Sequence, residues 1–267
     1  MEKARSLPAD AVILDLEDAV APDGKASARD AVMASVAAGG FGRREVVIRI
    51  NGADTPWFAE DVAAAAKANP DAVLIPKISR PENITAVARE LERLGADPAL
   101  KLWAMMETPE AMLRAHEIAQ SNAGLAAFVM GTNDLLKELG ARAVPGRAPL
   151  MTGIGLSLLA ARAAKIAILD GVYNDIKNLE GFEAECAQGR DLGFDGKTLI
   201  HPSQIEIANR IFAPSPEELA EARRIVAAFE AAAAEGKGVV QLDGKMIEAL
   251  HVESARRAIG LSEAIGD

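Results

Sequence analysis

Trp103-Ala104-Met105-Met106-Glu107-Thr108 and Phe128-Val129-Met130-Gly131-Thr132-Asn133-Asp134 decide how the chain is read. Each is an apolar run of strand character that stops at an acid. Thr108-Pro109 follows Glu107, and Thr is a good helix N-cap, Pro a good first helical residue. Asp134 follows a turn with Gly131 and Asn133 and leads into Leu135-Leu136-Lys137-Glu138-Leu139. Both acids therefore stand where a strand gives way to a helix, 134 − 107 = 27 positions apart, about one βα repeat. Two carboxylates on neighbouring strand ends suit a hard divalent cation, which takes one or two acids and keeps water and substrate as its other ligands. Either acid alone would serve equally well at the positive end of a helix dipole, worth under about 1 kcal/mol. The pair, within the pattern around it, favours a metal site.

The same alternation runs outward in both directions. Strand candidates are Ala11–Leu16, Glu45–Ile50, Ala72–Ile75, Leu102–Met106, Ala126–Met130, Lys165–Leu169 and Thr198–Ile200. Helical stretches separate them at Lys25–Ala38, Pro56–Ala68, Pro81–Leu94, Pro109–Gln120, Leu156–Ala164 and Leu179–Leu192. Ser79-Arg80-Pro81-Glu82 and Ser215-Pro216-Glu217-Glu218 have the form of a capping box. Strands and helices alternating at this spacing imply a parallel sheet covered by helices. Nearly every strand ends in polar residues, among them Asp15-Leu16-Glu17-Asp18, Arg49-Ile50-Asn51, Pro76-Lys77 and His201-Pro202. Side-chain alternation pairs Asp15 with Glu17, Val47 with Arg49, Ile75 with Lys77 and Met105 with Glu107 on common faces. Polar ends on all the strands favour a (β/α)₈ barrel, whose chemistry sits at that rim, over an open sheet with one switch point. The barrel is expected over residues 1–212, and a helix from Pro216 with a short appendage over 213–267.

At 267 residues, 50% hydrophobic and 25% charged, the chain has globular composition. No apolar run reaches the roughly 18 residues of a membrane span, and Met1-Glu2-Lys3-Ala4-Arg5 leads to no signal-peptide core, so a cytoplasmic protein is expected. Cys186 is the only cysteine, which excludes an internal disulfide. A net charge of −10 argues against nucleic acid as the main partner.

Asp15-Leu16-Glu17-Asp18-Ala19-Val20, Arg49-Ile50-Asn51, Met106-Glu107-Thr108, Asp134-Leu135 and Gly193-Phe194-Asp195-Gly196-Lys197 running into Ile200-His201-Pro202-Ser203-Gln204 carry a resemblance. They resemble the citrate lyase β-subunit and malyl-CoA lyase family of the HpcH/HpaI aldolase superfamily. The likeness covers almost the whole chain, and its last motif is the most specific. It implies a TIM barrel, Mg²⁺, a homo-oligomer (trimer or hexamer) and reversible carbon–carbon cleavage of hydroxyacyl-CoA thioesters. By this resemblance Glu107 and Asp134 hold the metal and Arg49 binds the substrate carboxylate. Relatives open with a strand of the form Arg-Ser-x-Leu-x-Val-Pro-Gly, whereas only Met1–Pro8 precede Ala11–Leu16 here. Either a chain starting upstream of Met1 or a gapped, seven-stranded barrel is therefore expected. Leu242–Glu248 resembles the family's lid; many relatives have Asp at the position of Glu248, and in some it reaches a neighbouring subunit's active site as a catalytic acid.

The remaining polar residues receive supporting roles. A guanidinium offers a planar fork to a carboxylate, so Arg49 suits a 2-oxo or 2-hydroxy acid; its alternative is an ion pair with Glu17 or Asp15. Lys77 reads as a charge partner for Glu17 rather than a Schiff-base nucleophile. Asp15, Glu17 and Asp18 are expected to orient Arg49, Lys77 or metal-bound water. His201 reads as a turn residue. The activity expected is a Mg²⁺-dependent lyase acting between a 2-oxo acid and an acyl-CoA, with Glu248 the leading proton carrier. The alternatives are a metal-dependent aldolase of free hydroxy-oxo acids and a subunit served by a partner acyl carrier protein.

Overall fold

Seven strands form in the order of the apolar runs, in a computed structural model that describes residues 2–121 and 123–266. They are β1 (Ala11–Asp15), β2 (Glu45–Arg49), β3 (Ala72–Ile75), β4 (Lys101–Met106), β5 (Leu125–Met130), β6 (Ala167–Asp170) and β7 (Gly196–Lys197). They lie side by side in sequence order, and each neighbouring pair is parallel. Parallel neighbours need a crossover, and helices supply it: α1 (Lys25–Ala38), α2 (Phe58–Ala68), α3 (Pro81–Arg93), α4 (Pro109–Leu113), α5 (Ala115–Ala119), α6 (Thr132–Glu138), α7 (Met151–Ala164) and α8 (Leu179–Leu192).

Val47, Ala72, Leu74, Trp103, Met105, Ala127 and Val129 form one buried cluster, with Ala11, Ile13 and Leu169 packed against it. Side chains from β1 through β6 meet in one cluster only if the sheet curls, so the strands form the wall of a (β/α)₈-type barrel. The alternate residues Ile48, Val73, Ala104, Phe128 and Ile168 are also fully buried, so both faces of the sheet are covered. Among the described residues β1 and β7 do not pair with each other, which leaves both as edges. Among the described residues the sheet is gapped and seven-stranded.

Four local expectations need correction. The last strand is Gly196–Lys197, not Thr198–Ile200: the backbone N–H groups of Ile200 and His201 donate to the Gln204 side chain (3.1 and 3.3 Å) instead of to a ladder. The helix expected over Pro109–Gln120 breaks at Arg114, whose ψ of 14° is not helical. Ser79 does not cap α3; the Asn83 amide oxygen accepts from the Ser79 and Arg80 backbone N–H groups, both at 3.0 Å. Ile75 and Lys77 do not share a face by strand alternation, because Lys77 has a left-handed φ of 53° that turns its side chain back over the rim.

The chain divides into two compact units, Met1–Ala208 and Asn209–Asp267. Helix α9 (Ile205–Phe212) spans that division. The second unit holds α10 (Pro216–Ala234), a hairpin of β8 (Val240–Leu242) and β9 (Lys245–Ile247), and α11 (Ala249–Gly266). Asp243 and Gly244 have φ of 48° and 79°, the conformation a two-residue hairpin turn requires. Ser215 and Glu218 form the expected capping box (2.7 and 3.2 Å), and Arg256 pairs with Glu230 at 2.8 Å to join α11 to α10. Among the described residues no helix is long and apolar enough to cross a membrane.

Candidate active site at the strand ends

The register of β1 on β2 sets Asp15 directly beside Arg49. Arg49 closes on it through two hydrogen bonds, Nε to Oδ1 at 2.7 Å and Nη2 to Oδ2 at 2.5 Å. The same carboxylate accepts the backbone N–H groups of Glu17 (2.8 Å) and Ala19 (3.0 Å). Burial alone would raise the Asp15 pKa, but the hydrogen bonds and charge of Arg49 outweigh it and hold the group below its usual value. The third guanidinium nitrogen, Nη1, lies 2.9 Å from Glu17 and 3.5 Å from Asp18. The Nε–Nη2 edge of the fork is thus occupied from within, and Nη1 also donates to Met105 Sδ at 3.5 Å. Burial pushes Glu17 up to about 7; Arg49 opposes that shift, while Glu107 and Asp18 add to it.

Glu107 follows β4 and is fully buried. Its Oε1 accepts the Lys77 backbone N–H at 2.7 Å, while Oε2 is buried without a hydrogen-bond partner. Residue 131 must be Gly, since a Cβ there would overlap the Glu107 carboxylate. Burial, with Asp134 adding its charge, raises the Glu107 pKa. Asp134 stands in the first turn of α6, and the Lys77 ammonium bridges the two acids, 2.6 Å from Asp134 and 3.7 Å from Glu107. Lys77 is therefore the partner of the two candidate metal acids, not of Glu17, whose own partner is Arg49. Thr108 caps α4 as expected, accepting the Ala111 N–H at 3.0 Å. A cavity of about 650 Å³ opens here, lined by Glu17, Gly52, Thr55, Lys77, Ser79 and Thr108.

Two supporting networks escaped the sequence reading. Lys25 is buried, and its ammonium donates to the carbonyls of Leu16 (2.8 Å) and Glu17 (2.7 Å) and to Asn51 Oδ1 (2.7 Å). Asn51 is itself held by Asp61, which pairs with Arg29. A lysine opening α1 looks like surface in the sequence; only the return of that helix onto the β1 loop buries it. The second network joins Arg147, Asp170, Lys197 and Glu185 behind β6 and β7, with Arg147 and Lys197 both within 2.9 Å of Asp170. The motif containing Lys197 was legible, its buried role was not.

The structure brings Asp15, Glu17, Asp18, Arg49, Lys77, Glu107 and Asp134 to one rim. His201 caps its own turn, with Nδ1 2.8 Å from Ser203 Oγ. Glu248 belongs to the second unit, is exposed, and donates its backbone N–H to His251 Nδ1 at 3.1 Å. Among the described residues no group of three or more His, Cys, Asp or Glu is poised as a metal cluster, so a cation here would rest on two carboxylates.

The chain is 52% identical over 265 residues to a (3S)-malyl-CoA thioesterase of Cereibacter sphaeroides, covering 99% of this chain and 90% of that one. It is 36% identical over 264 residues to the citrate lyase β subunit of Escherichia coli K12, covering 97% and 87%. A solved structure of Mycobacterium tuberculosis CitE in complex with magnesium, acetoacetate and coenzyme A superposes with a TM-score of 0.77 at 30% identity, covering 96% and 91%. The HpcH/HpaI aldolase/citrate lyase profile matches residues 1–202, so the parallel sheet and its acid-tipped strands have an ancestry as well as a geometry: the chain belongs to the HpcH/HpaI aldolase/citrate lyase family.

Proposed function

We propose that the chain is a Mg²⁺-dependent lyase that cleaves, or forms, the carbon–carbon bond joining a 2-oxo acid to an acyl-CoA-derived enolate. The observation that carries the reading is the pairing of Glu107 and Asp134 about one cationic position, held at 2.6 and 3.7 Å by the Lys77 ammonium. The donors are all hard carboxylate oxygens, and the buried Glu107 Oε2 has a lone pair to offer, so the residues fit Mg²⁺. Mg²⁺ on Glu107 and Asp134 would supply concentrated positive charge to the substrate's carboxylate and adjacent oxygen.

Arg49 binds that carboxylate from its Nη1 side, and Asp15 keeps the guanidinium aimed. The fully buried Glu107 keeps water from that side of the reacting centre. Glu248, delivered by a neighbouring subunit of a trimer or hexamer, protonates the enolate carbon released by cleavage. The small-molecule partners are a 2-oxo acid and an acyl-CoA, and the enzyme works in the cytoplasm.

Thioester hydrolysis is the second reading, favoured by the 52% identical relative that bears a thioesterase name. Incubating the protein with malyl-CoA and citramalyl-CoA, with and without Mg²⁺, separates the two. A lyase releases glyoxylate or pyruvate with an acyl-CoA, while a thioesterase releases free CoA thiol and the intact hydroxy acid. Turnover of free 4-hydroxy-2-oxo acids with no reaction of either thioester would overturn both.

A further inference from the structure

We propose that Glu17 is the catalytic base of the cleavage, the group that takes the proton from the substrate hydroxyl. The assignment rests on the lyase reading above and adds to it the one group that reading leaves unnamed. Five carboxylates stand at the rim and are matched by two cations, Arg49 and Lys77; Asp18 is largely exposed to water. Of the other four, three have partners for their ionised forms. Asp15 has the two-point grip of Arg49 and two backbone N–H groups. Glu107 has the Lys77 N–H, and Asp134 has the Lys77 ammonium at 2.6 Å.

Glu17 has only the flank of Arg49. Its Oε2 lies 2.9 Å from Nη1 but is buried without hydrogen-bond geometry to any partner. Of the two acids gathered on Arg49, Asp15 and Glu17, it is the one whose charge is less compensated, and so the one that gains and loses a proton more readily. Around it stand Asp15, Asp18 and Arg49 from the β1 and β2 ends, Lys77 after β3 and Glu107 after β4; Lys25 holds its backbone carbonyl. That balance places its titration at about 7, where a base works best.

Its position suits the role. Glu17 lines the cavity together with Lys77 and Thr108, and it lies 2.9 Å from Nη1 of Arg49, the nitrogen that Asp15 leaves free. A 2-hydroxy acid bound there sets its hydroxyl, one carbon from the carboxylate, beside Glu17. In the cleavage direction the O–H bond breaks and the proton passes to the Glu17 carboxylate. The oxygen's electron pair forms the new C=O, and the C–C bond breaks with its pair going to the thioester α-carbon. That enolate carbon then takes a proton from a separate acid, and Glu17 returns its own to solvent. Charge and atoms balance without any redox partner.

The test compares wild type, Glu17→Gln and Glu17→Asp on the thioester that wild type turns over, with Mg²⁺ affinity measured by calorimetry. Glu17→Gln should lower kcat by at least about 100-fold while leaving KM and Mg²⁺ affinity within about threefold. In wild type kcat should rise with pH through a midpoint near 7. That limb should vanish in Glu17→Gln and persist in Glu17→Asp. Retention of more than about a tenth of kcat in Glu17→Gln, or a loss carried by KM or by Mg²⁺ affinity, overturns the assignment. Should Glu17→Gln fail to fold, a flat wild-type profile across neutral pH, or a Glu17→Asp profile unchanged from wild type, does the same. A wild-type protein that cleaves no hydroxyacyl-CoA overturns the lyase reading itself, which an active wild type with an active Glu17→Gln does not.

Discussion

Asp15 and Arg49 face each other across the β1–β2 ladder, and both oxygens of the acid lie on two nitrogens of the guanidinium, at 2.7 and 2.5 Å. The pair is mostly buried, with 17% and 15% of the two side chains exposed. Such a pair contributes little net stability, since desolvation offsets attraction, but removing one member strands the other. Its value lies in aim: with the Nε–Nη2 edge locked, Nη1 is held toward Glu17 and Met105.

Asp15→Ala should therefore cost about 2–4 kcal/mol of stability and raise the KM for the acid substrate more than it lowers kcat. Denaturant unfolding and steady-state kinetics check both. A loss below about 0.5 kcal/mol with unchanged KM would mean that Arg49 does not depend on Asp15 for its orientation.

Stability should also depend on pH in a stated direction. Glu17 is raised to about 7 in the fold against an ordinary value of 4.5, so the folded state holds its proton more tightly than the unfolded chain does. The stabilisation is complete below about pH 4.5 and is lost as pH rises through about 7. Glu107 shifts in the same direction. Thermal unfolding in chelator should show falling stability from pH 5 to 8, and Glu17→Gln should flatten the slope, gaining about 2 kcal/mol relative to wild type at the upper end. An identical slope in the two proteins would contradict the assigned environment of Glu17.

Subunit mixing tests Glu107 and Glu248 together. Glu107→Gln should lose Mg²⁺ binding and activity; Glu248→Gln should lose activity and keep Mg²⁺. Refolding the two inactive variants together should restore about a quarter of wild-type activity if each site draws Glu107 from one subunit and Glu248 from its neighbour. No recovery in mixed oligomers, or Mg²⁺ affinity preserved in Glu107→Gln, would refute this division of labour.

The fold was legible because its signals are local. Ala72–Ile75, Lys25–Ala38 and Leu179–Leu192 take the expected bounds, since an uninterrupted apolar run, an Ala-rich segment or a terminal Gly acts within a few residues. The last strand was misplaced because Thr198-Leu199-Ile200 is apolar enough for a ladder, yet only Thr198 N–H reaches the Asp170 carbonyl and the Gln204 side chain takes the Ile200 donor. At the site, Asp15 and Glu17 were placed near Arg49 correctly, since adjacent parallel strands must bring their ends together. The partner of Lys77 was not, because alternation fails once a residue leaves the strand with positive φ.

The sequence by itself determined seven acid- or cation-tipped parallel strands, the family motifs and the two candidate metal acids, all written in stretches of a few residues. Only the tertiary structure decided which charge answers which. Lys77 reaches Asp134, Asp15 spends the fork of Arg49, Lys25 is buried beneath the β1 loop, and Glu17 is left with one buried oxygen unpartnered. Those pairings depend on the curl of the sheet and on burial, because a few ångströms and the loss of water set the strength of each Coulombic contact, and neither is encoded in sequence spacing.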